Sequence, residues 1–149
     1  MQRIAEVSMS TISEGRAGSP ASAMSDTAKL LLRVALGLLI LLHGMSKMTG
    51  GIGFISGQVA AAGLPAFVAY LVYVGEVIAP AMLIAGWYSR IGAALIAINM
   101  LFALGLVHKA QLFSRSETGG WAIELQAMYL FVAIALILLG PGRFSVNQK

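Results

Sequence analysis

The chain has 149 residues, 58% of them hydrophobic and 11% charged, with a mean hydropathy of +0.85 and no cysteine. A water-soluble domain carries about 25% charged residues, so a core wrapped in a wet surface does not fit and lipid is the expected solvent. The formal charge of +4 comes without a basic run or aromatics interleaved with Lys/Arg, so no nucleic-acid partner is expected.

The absence of cysteine removes a dithiol/disulfide cycle, a Cys-ligated zinc or iron–sulfur site and C-x-x-C-H haem attachment. No covalent cofactor is expected, and redox work would need a bound carrier or a partner.

In chain order, residues 1–26 are polar and rich in Ser, Ala and Gly, without an apolar run fit for a signal peptide. They read as a disordered tail, and Met24 is an alternative start to Met1. A membrane domain over 27–146 follows, with spans at about 27–48, 66–88, 90–108 and 121–139. The first span ends in His43-Gly-Met-Ser-Lys47. The glycine-rich stretch 49–64 brackets a short apolar segment, Phe54 to Ala62, expected to form a small interfacial helix. Pro65 suits the first turn of the second span, which carries Glu76 and, four residues on, Pro80. Arg90 opens the third span, which contains Asn99 and ends at His108-Lys109. The fourth runs from Trp121 to the terminator Gly140-Pro-Gly142.

The fold class is therefore all-α, a four-helix transmembrane bundle behind a disordered tail. Seven of the ten Lys and Arg residues fall on the side of the termini, leaving Lys47, Lys109 and Arg115 opposite. The positive-inside rule places both termini in the cytoplasm, in a bacterial-type inner membrane. No internal repeat suggests an inverted-repeat transporter. Gly51, Gly53 and Gly57 imitate a nucleotide loop but lack a preceding strand and a phosphate-binding Lys.

An ionisable side chain inside a span costs about 2.5–3.5 kcal/mol on insertion scales, so each needs a partner or a purpose. If Lys47 and Pro65 share the outer interface, helical rise puts Arg33 and Glu76 within about 5 Å of the same depth, with Asn99 nearby. Arg33, Glu76 and Asn99 are thus expected to form one buried network, with Pro80 unable to donate to the Glu76 carbonyl. A second group gathers at the outer end: His43 and Lys47, one turn apart on one face, with His108, Lys109, Glu124 and Gln126. Lys109 is read as snorkelling. A quinone head needs a donor to each carbonyl oxygen and a proton route, which His43, Lys47, His108, Glu124 and Gln126 could supply. A b-type haem between the two histidines would need facing rings and ranks below quinone. His43, His108 and Glu124 have no metal-motif spacing, and no metal is expected.

These residues also carry a resemblance. Arg33 with Leu36-Gly37, His43-Gly44-x-x-Lys47, Gly63-Leu-Pro65, Gly75-Glu76, Arg90 and Gly140-Pro-Gly-Arg-Phe-Ser145, in this order, resemble the DoxX-like small membrane proteins over residues 27–146. The resemblance implies a four-helix membrane bundle. It also implies kinship with the DoxD-type subunit of thiosulfate:quinone oxidoreductases and with proteins assisting oxidative-stress or thiol-linked redox complexes. The chain departs from the family pattern at Ala79-Pro80-Ala81, where glycine is expected, and in its long N-terminal tail.

Three functions compete. The first is a membrane redox subunit handling quinone or quinol, with electrons from an oxidoreductase partner. The second is a non-catalytic scaffold recruiting a soluble oxidoreductase, and the third is a small-solute or proton transporter using Glu76. Small residues such as Gly92, Ala93, Ala97 and Ala103 suit packing against a second copy in a homo-oligomer.

Overall fold

The computed structural model describes residues 20–147. Within them, five helices account for most of the chain: α1 (Pro20–Gly50), α2 (Gly53–Ala61), α3 (Ala66–Ala85), α4 (Ser89–Val107) and α5 (Glu124–Leu139). Helices α1, α3, α4 and α5 pack in a ring, each against two neighbours in the order α1, α3, α4, α5 and back to α1. Helix α2 sits across the start of α3 and the end of α4. Three helices, α1, α3 and α4, are long and apolar enough to cross a membrane, and α5 is a shorter apolar helix of 16 residues.

Three boundaries differ from the sequence reading. Residues 1–19 of the expected tail lie outside the described residues, but 20–26 are helical, because Pro20 suits the start of a helix and the residues after it favour continuing one. Helix α3 stops at Ala85, not Tyr88, since Gly86 takes a left-handed conformation at φ 74° and returns its N–H to Leu83 O. Helix α5 starts at Glu124, not Trp121. The chain before it turns at Gly119 (φ 86°), pairs Arg115 with Trp121 in an antiparallel bridge, and ties Trp121 Nε1 to Leu112 O at 2.7 Å.

The core is built from small and branched residues, among them Ile40, Ala79, Leu83, Ala93, Ile96 and Ala133. Large apolar side chains such as Leu42, Ile91, Leu101, Phe131 and Leu138 point outward and are exposed, as expected where the solvent is hydrocarbon. Gly92, Ala93 and Ala97, read as a face for a second copy, are instead consumed inside the bundle: all three are buried, and a Cβ on Gly92 would lie 3.0 Å from Ala79 O. Four helices cannot close around one core unless some backbones approach this tightly.

Arg33 is only 1% exposed and, among the described residues, has no carboxylate partner. Its guanidinium donates to four carbonyl oxygens: Nε to Leu83 O (3.0 Å), Nη1 to Pro141 O (2.6 Å) and Phe144 O (3.2 Å), and Nη2 to Ile84 O (3.4 Å). Two of these lie in the last turn of α3, where the carbonyls carry the negative end of the helix dipole and Leu83 O accepts from both Gly86 N and Arg33. The other two belong to the Gly-Pro-Gly-Arg-Phe segment, which Arg33 folds back over that end of the bundle. Asn147 completes the latch, accepting from Tyr88 N at 2.8 Å and donating its own N–H to Gly86 O. A side chain on Gly86 would overlap Nη2 of Arg33.

The expected Arg33–Glu76 pair is therefore absent. The register explains why. Tyr73, not Pro65, is level with Lys47, its hydroxyl 3.4 Å from Lys47 O, so α3 runs about two turns past Lys47 and about one turn past the end of α1. Glu76 moves up with it, leaving Arg33 opposite Leu83 and Ile84, roughly 10 Å of helix away.

Arg33→Ala should lower stability by about 3 kcal/mol or more, because several dry carbonyls lose their donor at about 1–3 kcal/mol each. Combined with Glu76→Ala the losses should add, as for separated sites. Thermal melting in detergent, followed by the amount of monodisperse protein, checks both.

Candidate functional site

Glu76 is 6% exposed and lies in a π-helical turn of α3, Val74–Ile78, where Ala79 N reaches back to Val74 O; α3 also opens with a 3-10 stretch, Ala66–Tyr70. Pro80 sits just beyond and cannot donate to the Glu76 carbonyl, which disfavours a regular α-turn here. π-Turns of this kind concentrate at functional sites.

Two glycines set the carboxylate's surroundings. A Cβ on Gly44 would overlap the Glu76 carbonyl, so α1 and α3 touch backbone to backbone at this level. A Cβ on Gly75 would lie 2.5 Å from both Cβ and Cγ of Asn99. Its absence lets α4 come close enough for Asn99 Nδ2 to donate to Glu76 Oε1 at 3.4 Å. Lys47 Nζ meets the other oxygen, Oε2, at 2.6 Å. The Lys47 side chain is 24% exposed and that of Glu76 8%, so the pair lies at an opening. The expected network thus keeps Glu76 and Asn99, loses Arg33 and gains Lys47.

Lys47, Glu76 and Asn99 line a cavity of about 470 Å³. Its walls are otherwise mainly apolar, and four lining residues, Phe54, Leu71, Ile98 and Phe102, are about half or more exposed. They stand on α2, α3 and α4, so exposed apolar side chains of three helices frame the cavity. A second π-turn, Ala103–Val107 of α4, contributes Ala103, Leu106 and Val107 to the opposite wall.

Of the five remaining residues expected in the outer group, His43, His108 and Gln126 line this cavity, while Lys109 and Glu124 are exposed and do not. His43 reaches it with Nδ1 held 2.8 Å from Leu39 O and its ring edge-on to Tyr129, 5.9 Å between centroids. His108 and Gln126 line it together, their Nε2 atoms 3.1 Å apart, and His108 Nδ1 lies 2.7 Å from Gln111 Oε1. Glu124 is exposed and folds over Gly120, outside the lining. It opens α5 and lies two residues before Gln126, so a helix that turns Gln126 and Tyr129 inward turns Glu124 away. Both His108 nitrogens are engaged, so haem ligation there would first break a hydrogen bond.

Sequence reasoning missed Tyr129, Gln58 and Phe54. Tyr129 had a signal, its position three residues after Gln126 on the same face. Gln58 and Phe54 had none, because nothing in the sequence fixes where α2 docks. Among the described residues no group of three or more His, Asp or Glu side chains could hold a metal ion.

Gly75→Ala should separate Asn99 from Glu76 and destabilise the fold by about 1–3 kcal/mol, the cost of forcing a methyl into a packed contact. Lys47→Met alone should cost more than Lys47→Met with Glu76→Leu, because the single change leaves a dry, unpaired carboxylate. Melting temperatures of the three variants in one detergent read out both effects.

The model of the DoxX family matches residues 28–109, more than half of the chain. A Bacillus subtilis (strain 168) protein named "Putative oxidoreductase CatD" is 36% identical over 122 residues, covering 82% of this chain and 86% of that protein. No solved structure matches significantly.

Proposed function

This chain belongs to the DoxX family, and from that premise we propose that it is an integral membrane subunit of a redox complex whose cavity receives a quinone or quinol head group. The observation that carries this reading is the cavity's composition: a Lys47–Glu76–Asn99 group and a His108–Gln126 pair share a mainly apolar space of about 470 Å³ framed by exposed apolar side chains. The volume falls within the range of small-molecule pockets. A quinone needs donors at its oxygens and an exchangeable proton within about 2.6–3.2 Å or one water. Lys47 and Asn99 supply donors, and Glu76 can hold the proton. The isoprenoid tail would leave past Leu71, Ile98 and Phe102 into lipid.

Electrons come from an oxidoreductase partner, since a cysteine-free chain has no thiol couple of its own. The oxidoreductase name of the Bacillus subtilis relative agrees with a redox role. We place α1, α3, α4 and α5 across a bacterial-type inner membrane as four spans, both termini cytoplasmic. The seven-to-three division of Lys and Arg favours that orientation.

The test is binding of decylubiquinone to purified protein in nanodiscs. Lys47→Met and Glu76→Gln should each weaken binding about tenfold or more, the equivalent of one charge-assisted hydrogen bond. Glu124→Gln, outside the cavity, should bind like the unaltered protein. A wild-type protein that binds no quinone would leave the scaffold reading in its place.

A further inference from the structure

Tyr129 stands on α5 and is 7% exposed. Its side chain lines the cavity and its ring meets that of His43 edge to face, yet its hydroxyl makes no hydrogen bond among the described residues. That oxygen is not sealed away. The unpartnered oxygens fully enclosed by protein are those of Ser89 and Gln126, and the Tyr129 hydroxyl keeps accessible surface. A buried tyrosine ordinarily finds a partner for its hydroxyl, and leaving one dry costs stability. Phenylalanine would fill the same volume and make the same edge contact. The hydroxyl is therefore surplus to packing and free for a group that enters the cavity.

Helix α1 fixes its level. Gly44 touches the main chain of Glu76 on α3, and the residue before it, His43, packs against Tyr129 on α5. Consecutive residues of a helix differ by about 1.5 Å in height and about 100° in direction, so α1 sends one contact to each of its two neighbours at nearly the same depth. In the ring of helices, α3 and α5 face each other across the bundle. The Lys47–Glu76–Asn99 group thus occupies one side of the cavity and the Tyr129 hydroxyl the other.

We propose that Tyr129 is the second pole of the binding site: its hydroxyl takes the ring oxygen opposite the one held by Lys47 and Asn99, so that the cavity selects a ring with oxygens at opposite ends, a para-quinone or its quinol. This assignment deepens the quinone reading and rests on it. A phenol can donate to a carbonyl and accept from a hydroxyl, so one group serves both redox forms. Tyr129 binds and orients the ring, and the exchangeable proton stays with Glu76. Two other lining groups fit this role less well. His43 spends Nδ1 on Leu39 O, which leaves Nε2 of the neutral ring an acceptor, unable to serve a carbonyl. Gln58 has a free amide, but α2 lies across the start of α3 and the end of α4, away from the level of Glu76.

The test reads the two ends of the ligand separately, by the carbonyl stretching frequencies of decylubiquinone isotope-labelled at one carbonyl or the other and bound to the protein in nanodiscs. Both carbonyls should absorb below their frequencies in the free ligand. Tyr129→Phe should return one of them to its free value and leave the other shifted, and Lys47→Met should do the reverse. Tyr129→Phe should also bind about tenfold more weakly, the equivalent of one hydrogen bond. It should melt no lower than the unaltered protein, because no contact within the protein is lost; a lower melting temperature would assign the hydroxyl to packing and overturn the inference. Tyr129→Phe with unchanged affinity and both carbonyls still shifted, or Gln58→Leu releasing the second carbonyl in its place, overturns the inference and leaves the quinone reading standing. Failure of the unaltered protein to bind any quinone overturns the quinone reading itself.

Discussion

A carboxylate and a guanidinium are buried in a bundle whose outer surface is hydrocarbon-facing, and the two are kept apart. Among the described residues these are Glu76 and Arg33, and the packing of α1 against α3 decides what each meets. Gly44 and Gly37 on α1 let that helix lie directly on the α3 backbone, Gly44 at Glu76 and Gly37 within reach of Pro80 O. Once that register is set, Lys47 falls on Glu76 and Arg33 falls on the carbonyls that end α3. Slip α1 by one turn and both charges lose their partners, each at a cost comparable with the stability of the whole fold.

The two buried charges answer desolvation in different ways. Arg33 spends all its reach on main-chain oxygens, so it neutralises no acid and offers nothing to a ligand. Its role is to join the first helix, the last turn of α3 and the chain after α5 into one end piece. Glu76 keeps a flexible ammonium and a neutral amide as partners, both lining open volume. A lysine can swing away and an amide can accept as readily as donate, so these partners are not locked by the main chain as those of Arg33 are. Rigidity sits at one end of the helices and adaptable chemistry at the other.

Much of this was legible in the chain. The apolar runs, the helix between two glycine-rich stretches, and the Gly-Pro-Gly stop follow from periodicity and backbone preference alone. So did the importance of Arg33, Glu76 and Asn99, because a polar side chain inside an apolar run must be accounted for. Their pairing was not legible. It depended on the relative height of α1 and α3, and Pro65 was a false marker for it: proline starts a helix wherever the chain turns, while the level of contact is fixed by Gly44 and Gly37, whose role lies in what they lack. Glu124 misled for a related reason. Sequence distance gives depth along a helix, but the direction a side chain faces depends on where the helix begins, and the antiparallel turn at 115–121 moved that beginning to Glu124.

Helical irregularity ties the glycine contacts to the cavity. Both walls contain a π-turn, Val74–Ile78 on α3 and Ala103–Val107 on α4, each adding a residue to one turn and so shifting the faces on either side of it. In α3 the turn immediately precedes Pro80 in the Ala79-Pro80-Ala81 segment, where the DoxX pattern favours glycine. Glycine there would loosen the helix by lacking a side chain; proline loosens it by lacking a donor. In this chain proline frees the Glu76 carbonyl beside the carboxylate, leaving an ionisable group on a turn that is not committed to regular hydrogen bonding. A regular α-helix through both segments would satisfy more backbone groups and pack more evenly, and it would also close the space between Glu76 and His108. The fold gives up that regularity at two places that wall the cavity.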